Sequence, residues 1–228
     1  MDKIQDILME LAEGFGYTFA LFAVTLLFAL PLGLLFAFAS MSKFKPLKWF
    51  MKTLIWVIRG TPLMLQILFM SFLPRYVFQS TTKAWAAALS ISINDMMFLF
   101  VVLAFVLNYA CYFSEIYRAG IEAIPVGQYE AGKVLGLSKN QIFSKIVLMQ
   151  VIRRILPPMS NEIITLVKDT SLAQVLGVVD LLNAAKHAVN HYVILTPFIY
   201  ATIFYLLFNG LLTLLLGWAE KKLSYYKV

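Results

Sequence analysis

Five stretches of this chain are apolar over lengths that match the thickness of a bilayer. A membrane's hydrocarbon core needs roughly 20 residues at 1.5 Å rise each. The runs cover residues 17–40, 54–73, 96–113, 156–179 and 193–218, the fourth of them interrupted. Lipid offers the backbone no hydrogen-bond partner, so a span of this length must be a helix. The expected fold class is therefore an all-α integral membrane protein with five transmembrane helices. Hydrophobic residues make up 61% of the 228, against roughly 45–50% in soluble domains. Too little polar surface remains for a soluble globule.

The basic residues set an orientation, because Lys and Arg accumulate on the cytoplasmic side. Lys43, Lys45, Lys48 and Lys52 follow the first run. Arg118, Lys133, Lys139, Lys145, Arg153 and Arg154 follow the third, and Lys221, Lys222 and Lys227 follow the fifth. Only Lys3, Arg75, Lys83 and Lys186 fall on the other side. The expected topology has the N-terminus outside and the C-terminus inside. The net charge of +7 is thereby topological, and nucleic-acid binding is not expected. Residues 1–14 carry four acids against Lys3, the wrong charge for a cleavable signal peptide. Cys111 is a single cysteine in an apolar run, which suits a small packing residue. The outer loop between the second and third runs is expected to hold a short interfacial helix, and the whole chain to form a single transmembrane domain, 1–228.

One patch breaks the apolar pattern: YEAGKVLGLSKNQIFSKIVLMQ, residues 129–150. By the charge rule it is cytoplasmic. Residues 129–135 can form a short helix, and Gly136 suits the left-handed turn that ends one. Ser138 and Gln141 have capping-box spacing for a second helix. Leu135 and Leu137 flank the turn and can insert into a partner. The plain alternative is a hairpin lying on the membrane. GQYEAGKV fits G-x-x-x-x-G-K, but Val134 stands where a phosphate loop needs Ser or Thr for magnesium, so ATP binding by this chain is not expected.

The spacing of Glu130, Ala131, Gly132, Gly136, Ile146 and Leu148 resembles the EAA loop of ABC importer permeases. Gly132 replaces the second Ala of that pattern, and Met149 its Pro. IRGTPLMLQ at 58–66, EIYRAGIEAIP at 115–125, LPPMSNEIITLVKDTSL at 156–172 and GVVDLLNAA at 177–185 look like permeases of polar amino acid ABC importers. These motifs appear in the family's order, and the resemblance covers nearly the whole chain. It implies coupling helices, here Glu130–Leu137, that seat in a cleft of a separate ATPase. It also implies a second permease copy or homologue and an extracytoplasmic amino-acid-binding protein, all at a bacterial inner membrane. ATP and magnesium belong to the ATPase, and this chain carries no cofactor and no bond-making chemistry.

Other groups are weighed by position. Arg59, Gly60, Thr61 and Pro62 open the second run; Thr61 can cap a helix, Pro62 suits its first turn, and Arg59 can snorkel. Glu115 and Arg118 can pair on one helix face. Asn108 can glue helices or line a path, and its position does not choose between them. His187 and His191 are four apart with no third ligand evident, which favours a surface role over a metal site.

The fourth run holds the strongest internal signal. Pro157 and Pro158 are expected to break or kink it. Asn161, Glu162, Thr165, Lys168 and Asp169 then fall within an arc of about 120° on a helix. Ionisable groups at membrane depth cost roughly 2.5–3.5 kcal/mol each, so they must face a cavity or each other. The stripe is read as lining a substrate path; a salt bridge through Lys168 is the structural alternative. A secondary transporter is the competing function, but such folds show internal repeats that this sequence lacks.

Overall fold

The computed structural model describes residues 2–223, and among these every regular element is helical. Lys227 therefore lies outside the described residues. Helix α1 (Asp2–Ser40) is followed by α2 (Lys45–Arg59) and α3 (Leu63–Tyr76). A short α4 (Thr82–Ala88) precedes α5 (Ile93–Glu122). Two short helices, α6 (Val126–Val134) and α7 (Lys139–Ile142), lead through a π-turn at Phe143–Val147 into α8 (Leu148–Asp169). A 3-10 segment, Thr170–Leu176, connects to α9 (Leu181–Tyr192), and α10 (Thr196–Leu223) closes the described chain.

Three helices, α1, α5 and α10, are long and apolar enough to cross a membrane, and the bent pair α2–α3 makes up to four. Helices α1 and α5 contain the expected first and third runs, and α10 takes up the fifth from Thr196 onward, after Val193 closes α9 in the left-handed region. The second and fourth runs depart from expectation. Residues 54–73 are not one helix: α2 and α3 meet at 108°. Gly60 ends α2, and Pro62, with φ −61° and ψ 134°, is the extended residue before α3. Proline disfavours the helical conformation of the residue before it and lacks an N–H, so the α2 ladder cannot continue. The fourth run differs in the opposite sense. The helix passes through Pro157 and Pro158 without ending and breaks later, at Thr170, where it tightens to 3-10 and then turns at Gly177.

Helix α5 is the central post. Phe105, Tyr109 and Phe113 are buried along it, α1, α3 and α8 pack against it, and α10 joins the same core through α1 and α8. Lipid tails are as apolar as leucine, so hydrophobicity alone does not join these helices; close packing and hydrogen bonds do. Gly33 of α1 shows the closeness. A Cβ there would lie 2.9 Å from both the Ala110 carbonyl oxygen and Phe113 Cβ. Phe208 of α10 meets the rings of Phe15 and Phe22 at 5.4 and 5.2 Å, edge-on geometry that aromatic quadrupoles favour.

The two ends of the molecule differ. At one, Ala86 of α4 packs on Met96 and Phe100 at the start of α5, and Ile7 and Leu11 of α1 pack on Leu181, Ala184, Ala185 and Ala188 of α9. The short outer-loop helix read from the sequence is α4, capped by Thr81 accepting from the Ala84 amide at 3.1 Å. At the other end, Ile124 beyond α5 joins Ile142, Val147 and Val151 in a small core beneath the α6–α7 hairpin. Cys111 is fully buried.

Candidate functional site

The α6–α7 hairpin is built from local rules. Helix α6 ends in a Schellman turn: the Leu137 amide donates to Gly132 O at 3.0 Å and the Gly136 amide to Lys133 O at 2.9 Å. The turn needs a left-handed residue, and Gly136 supplies it with φ +74°. Ser138 then caps α7 reciprocally. Its hydroxyl accepts from the Gln141 amide at 3.3 Å, and Gln141 Oε1 accepts from the Ser138 amide at 2.8 Å. Gly132 is buried, and a Cβ there would stand 2.6 Å from Ile142 Cγ1. The departure from EAA at this position makes room for a branched side chain across the hairpin.

The hairpin's surface is uneven. Val134 is 88% and Leu135 74% exposed at the tip. Leu137, expected to flank the turn outward, instead packs on the hairpin's own small core. Glu130 and Ala131 are exposed. A glutamate opening the EAA spacing could cap or pair within the loop, but the Glu130 carboxylate forms no ion pair or cap among the described residues.

A cleft of about 580 Å3 opens between α5, α8 and the α2–α3 corner. Arg59, Tyr112, Glu115, Arg118, Arg154 and Glu162 line it. Arg118 chelates Glu115, with Nε to Oε1 at 3.1 Å and Nη2 to Oε2 at 2.7 Å, and also reaches Glu122 at 2.6 Å. Arg59 stands over the Tyr112 ring at 5.1 Å and lies 3.6 Å from Glu115. Two motifs far apart in sequence, the Arg59 corner and the Glu162 stripe, therefore share one cleft.

The α8 stripe is half open. Asn161 and Lys168 are exposed, while Glu162, Thr165 and Asp169 are partly buried. Met159, Ser160, Leu166 and Val167 form the buried side of the helix. Lys168 has no carboxylate within 4.0 Å among the described residues, so the salt-bridge alternative is not what this chain adopts. Asp169 instead accepts a hydrogen bond from the Tyr109 hydroxyl at 2.7 Å. Asn161, Thr165, Lys168 and Asp169 do not line the cleft that Glu162 enters.

Gln66 organises the α2–α3 corner. Its amide nitrogen donates to Ile58 O at 2.8 Å and to Thr61 Oγ1 at 2.9 Å, and its oxygen accepts from Asn108 Nδ2 at 3.0 Å. Asn108 is thus glue between helices. Thr61 does not cap α3 as expected; its hydroxyl donates back to Val57 O at 3.0 Å and closes the end of α2. Sequence reasoning missed Gln66, Tyr109 and Tyr112 as partners, since each pairs with a residue distant along the chain. His187 bonds Glu10 of α1 at 2.6 Å and stacks on His191. Among the described residues no group of three His, Cys, Asp or Glu could hold a metal.

Comparison with known proteins places this geometry. Residues 29–225 match the family described as binding-protein-dependent transport system inner membrane component. The L-cystine transport system permease protein TcyB of Bacillus subtilis (strain 168) is 37% identical over 95% of this chain and 87% of its own length. The arginine transport system permease protein ArtQ of the same organism is 33% identical over 93% and 91%. A crystal structure of an amino acid ABC transporter with histidines superposes with a TM-score of 0.80 at 27% identity, covering 96% of each chain. The matched region takes in α2 to α10, the hairpin, the corner and the stripe, and the chain belongs to the family of binding-protein-dependent transport system inner membrane components.

Proposed function

We propose that this chain is the permease subunit of an ATP-driven importer of polar or basic amino acids in a bacterial inner membrane. As one permease domain over 1–228 it pairs with a second copy or a homologue. The stripe Asn161, Glu162, Thr165, Lys168 and Asp169 lines the path between the two. The knob at Glu130–Leu137 seats in ATPase subunits, which bind ATP and magnesium and supply the energy. An extracytoplasmic binding protein delivers the amino acid. Five crossings with the N-terminus outside require α8 and the 3-10 segment after it to be the fourth.

The observation that carries this reading is the open polar face of α8. Glu162 and Asp169 are seven residues apart, about 10 Å along one helix face. Lys168 beside them is exposed, with no carboxylate within 4.0 Å among the described residues. A face so charged is costly against lipid, and a shared cavity with a second permease removes that cost. A basic amino acid carries cations at both ends, which two carboxylates at this separation can meet, while Lys168 meets its α-carboxylate. The relatives transport L-cystine and arginine, as their names state, which fits a polar ligand.

The test is uptake of arginine, lysine, histidine and glutamine by reconstituted complexes carrying Glu162→Gln. The exchange keeps size and removes charge. Arginine and lysine uptake should fall at least about tenfold, the loss expected for one desolvated charge contact, with glutamine within about twofold. Unaltered rates and selectivity would make Glu162 structural and remove the basis for the substrate preference.

A further inference from the structure

We infer that α2 is an interfacial helix that binds the anionic headgroups of the lipid leaflet at its end of the molecule. This rests on membrane embedding alone and not on the transport path proposed above. Between residues 14 and 94 the chain contains no Asp or Glu. Five cations, Lys43, Lys45, Lys48, Lys52 and Arg59, crowd into 17 of those residues. Arg59 has Glu115 within 4 Å, whereas none of the four lysines has an ion-pair partner among the described residues. Lys52 feels the Glu115 carboxylate at longer range, and Lys43, Lys45 and Lys48 are cations in need of an external counter-charge.

The order of side chains around α2 says what supplies it. Met51 and Ile55 are buried, and α2 packs on α1 and α5. At 100° per residue, Lys45, Lys48 and Lys52 occupy an arc of about 60° next to that buried edge. Trp49 and Trp56 come next, 70% and 75% exposed. Phe50 and Val57, also exposed, follow roughly 100° further round. Cations, then indoles, then purely apolar groups is the sequence met on passing from headgroups into acyl chains, with Trp at the boundary. The axis agrees. Taking α3 as the crossing part of the bent pair, as the five-crossing reading above requires, the 108° bend lays α2 within about 20° of the membrane plane. Anionic lipid attracts each lysine held at that depth, and zwitterionic lipid does not.

The full chain with Trp85→Phe and Trp218→Phe retains only the two α2 indoles. It would be reconstituted into phosphatidylcholine vesicles containing equal small fractions of brominated phosphatidylglycerol or brominated phosphatidylcholine. Bromine quenches tryptophan on contact. Brominated phosphatidylglycerol should quench at least about twofold more strongly. That preference should vanish in about 0.5 M KCl, which screens headgroup charge and needs no lysine substitution. Lys45→Gln/Lys48→Gln/Lys52→Gln should also abolish it while leaving quenching by brominated phosphatidylcholine in place. Equal quenching by the two lipids would overturn headgroup recognition. Quenching by neither would mean that protein, such as a second permease copy, covers α2, and would overturn the inference as well.

Discussion

At the scale of single residues, the hairpin turn concentrates the strictest requirement in the chain. Gly136 sits at φ +74°, where an added Cβ meets no neighbouring atom, so the constraint is on the backbone and not on space. The left-handed region costs a non-glycine residue about 1–2 kcal/mol, more when it is β-branched. Gly136→Val should therefore depopulate the hairpin about 5- to 30-fold, collapsing transport and ATPase co-purification while membrane insertion persists. Transport and co-purification at wild-type levels would remove the coupling role of Glu130–Leu137. This turn and the Ser138–Gln141 box were legible in the sequence because every partner lies within six residues. The Tyr109–Asp169 bond joins residues 60 apart, and no local pattern announces it. The same holds for Ile142 opposite Gly132, where the sequence displays a departure from a motif and the packing supplies its reason.

At the scale of elements, the α2–α3 corner shows what hydropathy conceals. Residues 54–73 are uniformly apolar enough to read as one span, and a window average carries no direction. The punctuation at Gly60–Pro62 was visible, yet it read as the start of a helix. The structure uses it as a bend between two helices, held by Gln66 bonding Ile58, Thr61 and Asn108 at once. Asn108 is 5% exposed, so Gln66→Leu would strand its amide in an apolar setting. An unmet buried polar group costs about 1–3 kcal/mol. Gln66→Leu should lower the melting temperature of the detergent-solubilised chain by several degrees, and Gln66→Leu/Asn108→Leu, with both partners apolar, should recover most of it. A double variant that melts no higher than the single one would show that the bond does not hold the corner. Elsewhere the sequence placed the break of the fourth run at Pro157–Pro158, and the structure moves it to Thr170. Proline limits a helix through one missing N–H and one clash, and neighbouring helices in a bundle can absorb both.

At the scale of the whole molecule, the hairpin and the polar stripe are one body. Helix α7, the π-turn and α8 follow without an intervening loop from Lys139 to Asp169, 31 residues or about 46 Å at helical rise. The knob at Glu130–Leu137 precedes this rod and meets it through the Gly136 turn and through Ile142 packed over Gly132. A displacement of the knob would pass through that packing before following the backbone to Glu162 and Asp169, and the π-turn is the place in the rod where helix geometry is loosest. Such coupling works only if the hairpin end and the α4–α9 end of the molecule lie on opposite sides of the membrane. The packing supports that separation: α4 and α9 gather with the start of α5 and the N-terminal half of α1, while the hairpin packs at the far end of the 30-residue α5. Lys83 on α4 and Lys186 on α9 are exposed at the first end, and Lys139 at the second. Native Cys111 is buried and should stay silent. Single cysteines at Lys83 and Lys186 should then react with an impermeant thiol reagent on intact cells. Cysteines at Lys139 and Lys222 should react only after the membrane is opened, because thirteen of the nineteen basic residues assign their side to the cytoplasm. Labelling at Lys139 from outside would invert the orientation and leave the hairpin facing away from any source of ATP.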